Sequence, residues 1–203
     1  MKFTIAIDGP AAAGKGTISR AVAEHFNMAY LDTGLLYRVV GAKVLAGETP
    51  VDAAKTIYPG ELKGAYLRSP EVAQAASQAA VFPDVRMALT EFQRDFAKRE
   101  GGAVLDGRDI GTVICPQADV KLFITATPGI RAMRRLKELE GQRSDLCYSK
   151  VLKDVIDRDK RDRERKMAPL IAAEDAITID TSSLDASATI SHVIEIIQKR
   201  MDL

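Results

Sequence analysis

The stretch from Ile5 to Thr17, Ile-Ala-Ile-Asp-Gly-Pro-Ala-Ala-Ala-Gly-Lys-Gly-Thr, constrains the fold more than any other part of the chain. Apolar residues up to Ile7 predict a short buried strand, and a loop of glycine and alanine leads into a helix that begins at Lys15. The spacing from Gly9 to Lys15 is that of a phosphate-binding loop, in which small residues let backbone N–H groups turn toward phosphate oxygens. An ordinary glycine-rich turn is the alternative, but the strand, the spacing, the lysine and the helix together favour phosphate binding.

A magnesium-binding hydroxyl belongs to the same motif, and here it is displaced by one residue. The strict pattern places Ser or Thr directly after the lysine, where its hydroxyl binds Mg²⁺. Gly16 occupies that place in this chain and Thr17 follows it. Thr17 is therefore a candidate ligand of Mg²⁺.

Composition is that of a soluble globular protein, and the length is sufficient for one α/β domain. The chain has 203 residues, of which 46% are hydrophobic and 28% charged, and its net charge of +1 gives no global field that favours nucleic acid or an anionic membrane. We expect no membrane span and no secretory signal. Cys115 and Cys147 lack metal or redox spacing, so we expect reduced thiols in a cytoplasmic protein.

Alternating strand and helix patterns predict an α/β fold with a parallel sheet of about five strands and helices on both faces. The expected strands are Phe3–Ile7, Met28–Leu31, Ala103–Leu105, Val120–Thr125 and Ala176–Ile179. The expected helices are Lys15–Phe26, Gly34–Ala46, Pro70–Ala79, Pro83–Arg99, Pro128–Leu139, Ser149–Lys166 and Ala186–Met201. Gly47–Ser69 is the least regular stretch, and we expect a mobile excursion from the core there. Loops at the carboxyl ends of the strands should carry the chemistry.

Polar side chains follow the second expected strand, in Leu-Asp-Thr-Gly-Leu-Leu-Tyr-Arg from Leu31 to Arg38. Asp32 or Thr33 would cap the next helix, and that structural role alone would explain both residues. A hydroxyl and a guanidinium near a helix start also suit a second phosphate group. Arg38 would otherwise be a solvated residue of an amphipathic helix, so this stretch leaves the choice open.

The third expected strand ends in an acid, in Val-Leu-Asp-Gly-Arg-Asp-Ile-Gly from Val104 to Gly111. It resembles a Walker B strand, in which Asp106 would orient magnesium or its waters. Arg108 and Asp109 then emerge at the strand end, the usual active-site rim of such a sheet. A glycine turn with a local Arg–Asp pair is the alternative.

A charged run, Arg158–Lys166, has six positive and three negative side chains. At helical periodicity one stripe is formed by Arg158, Arg161, Asp162 and Arg165, whereas Lys160, Arg163 and Lys166 point elsewhere. Such a run is usually a solvated helix face. Beside a phosphate-loop fold, its arginines can instead hold transferring phosphates while the carboxylate binds a sugar hydroxyl. By contrast, nothing in the sequence Ala76–Arg86 itself singles out a residue.

Together these motifs resemble the bacterial cytidylate (CMP/dCMP) kinases, within the nucleoside monophosphate kinase group. The matching segments are Ile7–Thr17, Leu31–Arg38, Ala76–Leu89, Asp106–Pro116 and Arg158–Leu170, in the family's order and over nearly the whole chain. The Gly-Lys-Gly-Thr form at Gly14–Thr17 is the variant that adenylate and cytidylate kinases use. The resemblance implies a (d)CMP kinase of pyrimidine nucleotide metabolism, which transfers the γ-phosphate of ATP to CMP or dCMP with Mg²⁺ as cofactor.

The resemblance also implies roles for individual residues. ATP would be held by Gly9, Pro10, Ala11, Ala12, Ala13, Gly14, Lys15, Gly16 and Thr17. The CMP phosphate would be surrounded by Thr33, Arg38, Arg108 and Arg165, the cytosine by Ser77, Arg86 and Asp109, and the phosphate and ribose side by Arg158 and Asp162. The expected catalytic cations are Lys15, Arg108, Arg158 and Arg165, and the expected metal ligands are Thr17 and Asp106. Arg131 and Arg134, on a helix leading to Glu138–Asp145, would belong to a short lid over ATP.

The chemistry of cytosine is consistent with these roles. Its N4 amine donates a hydrogen bond, which a carboxylate such as Asp109 accepts, while its O2 and N3 atoms accept from an arginine and a hydroxyl. Uracil has a carbonyl in place of the amine and would face the carboxylate unpaired. Phosphoryl transfer itself needs an in-line approach, magnesium and cations on the equatorial oxygens, and no nucleophile from the protein.

One departure from the resembled family concerns length. Its members usually carry a longer insertion with a small antiparallel sheet, whereas only Val39–Ala76 separate Arg38 from Ser77 here. We therefore expect that sheet to be missing or vestigial. The expected organisation is a single domain with a core of residues 1–38, 101–135 and 165–203, a nucleoside-monophosphate (NMP) lobe of residues 39–100 and a lid of residues 136–164.

Other functions remain open at this stage. A kinase for UMP or another small acceptor is the nearest rival. A GTPase-like switch lacks support because the sequence has no Asn-Lys-x-Asp motif. An RNA-binding module would use the basic helix, but its interleaved acids argue against that. We expect small nucleotides as partners, no nucleic acid, no membrane and a monomeric state.

Overall fold

A five-stranded sheet organises the chain, and all four of its strand pairs are parallel. The computed structural model describes residues 2–139 and 147–202. The strands are β1 (Thr4–Asp8), β2 (Ala29–Asp32), β3 (Ala103–Gly107), β4 (Val120–Thr125) and β5 (Ile177–Asp180), in the spatial order β2-β3-β1-β4-β5. The predicted α/β class and strand number are therefore confirmed. Because every strand is parallel, the carboxyl ends that carry the motifs meet along one edge.

The α-helices lie within a few residues of the predicted positions, with one addition. They are α1 (Lys15–His25), α2 (Thr33–Leu45), α3 (Pro50–Lys55), α4 (Pro70–Ala79), α5 (Pro83–Ala97), α6 (Pro128–Leu139), α7 (Tyr148–Glu164) and α8 (Ala186–Met201). The prediction of Gly47–Ser69 as irregular is wrong for α3, which begins at a proline and is capped by the Thr49 hydroxyl. Two 3₁₀ turns, Pro59–Leu62 and Ala65–Arg68, follow it. The mobility of this stretch stays a prediction.

Successive side chains of the central strands point to opposite faces of the sheet, which separates the core into two layers. Ile5, Ile7 and Val104 pack on one face of the sheet, against residues of α1 and α8. Ala6 and Leu105 point to the other face, into a second cluster. Successive side chains of a strand point to opposite faces, so strands this apolar must be covered on both sides.

The chain between β2 and β3, which the structure describes in full, contains no strand. The expectation that this chain lacks a small antiparallel sheet is therefore confirmed. Helices α2 to α5 form clusters of their own, in which Leu36, Val40 and Leu89 are fully or almost fully buried. The division into core, NMP lobe and lid stays a prediction, and residues 140–146 of the predicted lid lie outside the described residues.

A π-helical turn, Ile110–Ile114, follows β3 and was not predicted. The Asp8 carboxylate, at the end of β1, accepts hydrogen bonds from the backbone N–H groups of Ile110 (2.8 Å) and Gly111 (2.7 Å). These bonds tie the chain just after Asp109 to the strand that leads into the phosphate loop. Burial raises the pKa of Asp8 to about 6, although the two N–H groups act in the opposite direction.

In the part of the chain that the structure describes, no helix combines the length and the apolar character that a membrane crossing requires.

Candidate active site

A cavity of about 350 Å³ lies at the carboxyl edge of the sheet and brings most of the predicted site together. It is lined by these predicted residues: Ala11, Ala12, Ala13, Gly14, Lys15, Gly16, Thr17, Thr33, Arg38, Ser77, Arg86, Asp106, Arg108, Asp109, Arg158, Asp162 and Arg165. Counted over the described residues, ten cationic and six acidic side chains line it, a difference of +4. That excess suits anionic ligands.

Two of the predicted ATP-binding residues, Gly9 and Pro10, are not among the lining residues. Gly9 has a φ of +143°, and a Cβ built on it would lie 1.9 Å from the Ile124 carbonyl oxygen. Glycine is therefore required because the loop passes directly against β4. The Pro10 carbonyl accepts a hydrogen bond from Lys15 Nζ at 3.0 Å. Both residues shape the loop, and their contact with ATP stays a prediction.

Lys15 and Asp106 face each other at the mouth of the loop. Lys15 Nζ lies 3.8 Å from Asp106 Oδ1, and both side chains are almost fully buried. Burial, together with the nearby Arg108 guanidinium, lowers the pKa of Lys15 to about 8. Burial also raises the pKa of Asp106 to about 6, with a further contribution from Asp32. Both charged forms are thus costly without a ligand, which is typical of groups that meet bound ions.

The residues present fit a magnesium ion. Mg²⁺ prefers oxygen ligands and is held by one or two carboxylates or hydroxyls together with phosphates and waters. Asp106 and Thr17 line the same cavity as the phosphate loop, and the Asp32 carboxylate lines it as well. Gly16 lies beside this carboxylate, and a Cβ built on it would contact Asp106 Oδ2 at an ordinary distance of 3.5 Å.

Four arginines converge on the middle of the cavity with few counter-charges. Burial and the neighbouring Arg135 guanidinium lower the pKa of Arg38 to about 10, and burial and Arg108 lower the pKa of Arg158 to about 9. Among the described residues, the buried Arg158 Nε has no hydrogen-bond partner. Asp162 Oδ2 lies 4.0 Å from Arg158 Nε, which is too far for a hydrogen bond. A phosphate placed between these guanidinium groups would supply further negative charge and the missing acceptor.

The Arg108 side chain is held against α7. Its Nε donates to Asp162 Oδ2 at 3.1 Å, and its Nη1 donates to the Gly107 carbonyl at 3.0 Å. Burial acts against ionisation of Asp162, but Arg108, Arg158 and Arg165 outweigh it and lower the pKa of that carboxyl. Three of the four residues of the predicted charged stripe therefore line the cavity, namely Arg158, Asp162 and Arg165. Lys160, Arg163 and Lys166 are exposed as expected. Helix α7 ends at Glu164, so Arg165 reaches the site from extended backbone.

Asp109 forms the centre of a second polar group. Its Oδ2 accepts a hydrogen bond from Arg86 Nη2 at 2.5 Å, and its Oδ1 accepts from Arg165 Nη2 at 3.5 Å. The Arg86 guanidinium lies over the Tyr37 ring, 5.4 Å from its centroid. Arg86 and Asp109 are about 5% exposed, so a planar carboxylate–guanidinium pair is fixed in the cavity wall.

The Thr33 hydroxyl has a structural partner. It lies at the start of α2 and donates to the Asp106 carbonyl at 2.8 Å, which uses its single proton. Asp32 occupies the N-cap position of α2, but its side chain makes no capping hydrogen bond. The Asp32 side chain therefore does not cap α2, although the sequence had left that role open. Arg38 donates to the Leu67 carbonyl at 2.7 Å, so it is not a freely solvated residue.

Several site residues were not singled out by the sequence. Tyr37 and Arg135 line the cavity. Arg161 Nε donates to Ser77 Oγ at 3.3 Å, and its Nη2 donates to Gln74 Oε1 at 3.2 Å, which joins α7 to α4. The helical stripe of the charged run included Arg161, but the sequence offered no signal for its partners 84 and 87 residues away.

The placement of Arg131 and Arg134 in a lid differs from what the structure shows. Arg131 is 1% exposed and packs beneath the phosphate loop, between α6 and α7. Arg134 donates to the Thr181 hydroxyl at 2.9 Å and to the Thr181 carbonyl at 2.7 Å. Neither lines the cavity in the part of the chain that the structure describes. The sequence shows that both residues are basic and helical, but it does not show that Asp159 and backbone carbonyls from other segments bind Arg131.

Comparison with known proteins identifies relatives over the full length. A family model described as cytidylate kinase matches residues 5–59 and 46–199. A protein of Cereibacter sphaeroides named cytidylate kinase is 58% identical over 200 residues, covering 98% of this chain and 97% of the relative. A protein of the same name from Xanthobacter autotrophicus is 50% identical over 204 residues, covering 98% of both. These relatives therefore match the chain without a large length difference.

Solved structures with low sequence identity share the fold. An uncharacterized protein from Eubacterium ventriosum has a TM-score of 0.59 at 16% identity, and covers 98% of this chain and 99% of its own. Shikimate kinase from Bacteroides thetaiotaomicron has a TM-score of 0.53 at 16% identity, covering 99% of both chains. At this identity the likeness concerns the arrangement of strands and helices alone.

Proposed function

The chain belongs to the cytidylate kinase family, and on that premise we propose that it transfers the γ-phosphate of ATP to CMP or dCMP, giving ADP and CDP or dCDP. The observation that carries the proposal is the buried Asp109 carboxylate, held by Arg86 at the far side of a cavity that begins at the phosphate loop. A carboxylate in this position accepts from the cytosine amine, and the paired guanidinium donates to the ring acceptors. Phosphates of two nucleotides then meet over Lys15.

The cationic centre of the cavity supports transfer between them. Lys15 donates to the outer phosphates of ATP. Arg108, Arg158 and Arg165 neutralise the equatorial oxygens of the phosphoryl group that is being transferred. Arg38 binds the phosphate of CMP. Because these guanidinium groups are positioned before the substrates arrive, they cost little reorganisation during transfer.

Magnesium is the proposed cofactor, with Asp106 and Thr17 as the residues that would hold it or its waters. When bound, Mg²⁺ would supply positive charge that offsets the negative charge of the phosphates. The protein would supply the oxygen ligands from these two side chains. Asp162, fixed by Arg108, is the proposed partner of the ribose hydroxyls.

An acceptor screen tests the function directly. Purified protein is incubated with ATP, magnesium and one acceptor each from CMP, dCMP, UMP and AMP, and nucleoside diphosphate formation is measured. We expect CDP and dCDP to form fastest. Absence of CDP and dCDP would overturn the proposal, and equal or faster turnover of UMP would replace it with a UMP kinase.

Replacement of Asp109 tests the base-reading role. In Asp109→Asn, the amide can donate to the uracil carbonyl as well as accept, so discrimination between CMP and UMP should fall by roughly 100-fold, the range over which a mismatched polar contact acts. The ATP KM should change little, because Asp109 faces the acceptor. Asp157→Asn, at an exposed site of α7, is the matched control. Equal losses on every acceptor would contradict the role.

We further propose a monomeric, cytoplasmic protein. Cys115 and Cys147 are both free thiols, as a reducing compartment would leave them. Light scattering coupled to gel filtration tests the monomer, and a mass near 22.1 kDa is expected.

A further inference from the structure

A buried ion pair beneath the phosphate loop is not used by the proposed chemistry. Arg131 on α6 and Asp159 on α7 form two parallel hydrogen bonds, Nη1 to Oδ1 at 2.9 Å and Nη2 to Oδ2 at 2.5 Å. Both side chains are at least nine-tenths buried. Removing one partner of such a pair leaves an uncompensated buried charge, but replacing both by apolar residues is often tolerated.

The other hydrogen bonds of Arg131 tie the phosphate loop to the chain just after β4. Nη1 also donates to the carbonyl of Ala11 at 3.2 Å, and Nε donates to the carbonyl of Ala126 at 2.8 Å. The Thr181 hydroxyl, which accepts from Arg134 Nη1, lies within donating distance of the Ala13 carbonyl (3.2 Å) and of the Thr125 carbonyl (3.1 Å). A loop whose N–H groups turn toward phosphate must direct carbonyls away from it, and each of these carbonyls needs a donor.

Helix α7 carries the cavity residues proposed to bind the acceptor nucleotide. Asp159 follows Arg158 directly and precedes Asp162 by one helical turn, and both of these line the cavity. Arg131 thus contacts the ATP loop with one nitrogen and the acceptor helix with two. We propose that Arg131 and Asp159 are a positioning pair, which fixes the phosphate loop relative to the arginines of α7 and so sets the distance between donor and acceptor. This inference rests on the proposed function.

Paired replacement separates positioning from folding. In Arg131→Met/Asp159→Leu, the buried charges are removed together, so the melting temperature should stay close to that of the wild type. The Ala11 carbonyl loses its donor and α7 loses its tie to the loop. We expect the ATP KM to rise about tenfold, as for one lost hydrogen bond, and kcat to fall roughly 10- to 100-fold through misplacement.

Two further variants and a control complete the test. Arg131→Lys, beside the native Asp159, keeps one donor and should recover part of the kcat that Arg131→Met loses. Lys153→Gln/Asp157→Asn removes an exposed pair from α7 and should leave kcat and KM unchanged. A folded double variant with wild-type kcat and ATP KM would overturn the inference, as would kinetic losses no larger than the fraction unfolded.

The test is independent of the acceptor. Affinity for a non-hydrolysable ATP analogue is measured without CMP, and it should fall about tenfold in the double variant. If the wild type binds the analogue but makes no CDP, the proposed function fails. The analogue affinity of the double variant would still decide whether Arg131 positions the loop. Wild-type analogue affinity in the double variant would contradict that role.

Discussion

The Ser77 hydroxyl is oriented by a hydrogen bond from Arg161, which lies 84 residues away in the sequence. Arg161 Nε donates to Ser77 Oγ, so the hydroxyl acts as acceptor there and its own proton is left for another group. Ser77 is buried in the cavity wall, so we expect its proton to be donated to an acceptor atom of a bound ligand. Cytosine presents acceptors at O2 and N3, which matches a donating hydroxyl.

Replacing Arg161 should therefore affect CMP more than ATP. In Arg161→Ala, we expect the KM for CMP to rise about tenfold, as for one hydrogen bond to a charged donor, with the ATP KM within twofold of the wild type. Arg163→Ala, on an exposed part of the same helix, is the control. The effects of Arg161→Ala and Ser77→Ala should not add, and full additivity in the double variant would contradict the orienting role.

Lys15 should impose an alkaline limit on the free enzyme. Burial and Arg108 lower its pKa to about 8, so above that pH the amine is neutral and no longer attracts phosphate. We expect kcat/KM for ATP to fall as the pH rises through about 8. With saturating ATP the phosphates favour the charged amine, so the corresponding limb of kcat should lie at higher pH.

A conservative variant checks that assignment. Lys15→Arg stays charged throughout this range, and its residual activity should lack the limb near pH 8. If the limb persists unchanged in Lys15→Arg, another group titrates there.

At the scale of elements, α2 and α4 pack closely because Gly41 has no side chain. A Cβ on Gly41 would lie 2.6 Å from the Ala76 amide nitrogen and 2.9 Å from the Val72 carbonyl oxygen. Those contacts are backbone atoms of α4, which move only with the whole helix. This close packing of α2 and α4 places Ser77 and Gln74 within hydrogen-bond distance of Arg161 on α7.

Gly41→Ala should loosen this packing. We expect a loss of roughly 1–3 kcal/mol in the free energy of unfolding, the usual cost of an overpacked contact, and a higher KM for CMP because α4 carries Ser77. Urea unfolding measures the first effect. Gly129→Ala, where the added Cβ meets only the flexible Tyr148 hydroxyl, is the control. Unchanged stability of Gly41→Ala would show that α4 moves without cost.

At the scale of the whole molecule, one continuous cavity joins the phosphate loop, the cationic centre and the Asp109 group. The lining comes from segments spread from residue 11 to residue 165, so a ligand that fills the cavity contacts the sheet edge, helices α2, α4 and α5, and α7 together. Binding should therefore stabilise the fold cooperatively.

A linked analogue, with adenosine and cytidine joined through a phosphate chain, tests this continuity. At 100 times its Kd, it should stabilise the protein by about 2.7 kcal/mol and raise Tm by about 5–10 °C. At equal concentration it should exceed ATP and CMP added together, because linkage makes the second binding step intramolecular. Calorimetry measures Tm. If the linked analogue stabilises the protein no more than the separate nucleotides do, it does not occupy the ATP and CMP parts of the cavity together.

The sequence by itself determined the features that depend on local spacing. The phosphate loop, the apolar strands, the helix positions and the strand-ending Asp106 are all expressed over a few consecutive residues, where backbone geometry leaves few alternatives. Ser77 and Arg86 were reached through resemblance, since their own stretch resembles an ordinary small-residue helix.

Only the tertiary structure decided which charged side chains meet. Arg161 with Ser77, Arg131 with Asp159 and Asp8 with the turn after β3 join residues 28 to 103 positions apart. The partner of each side chain depends on how the sheet and helices pack, and the periodicity of the sequence does not predict which residues will meet. The same packing placed Arg131 below the phosphate loop rather than above it, because a buried guanidinium lies where carbonyls and a carboxylate satisfy its donors.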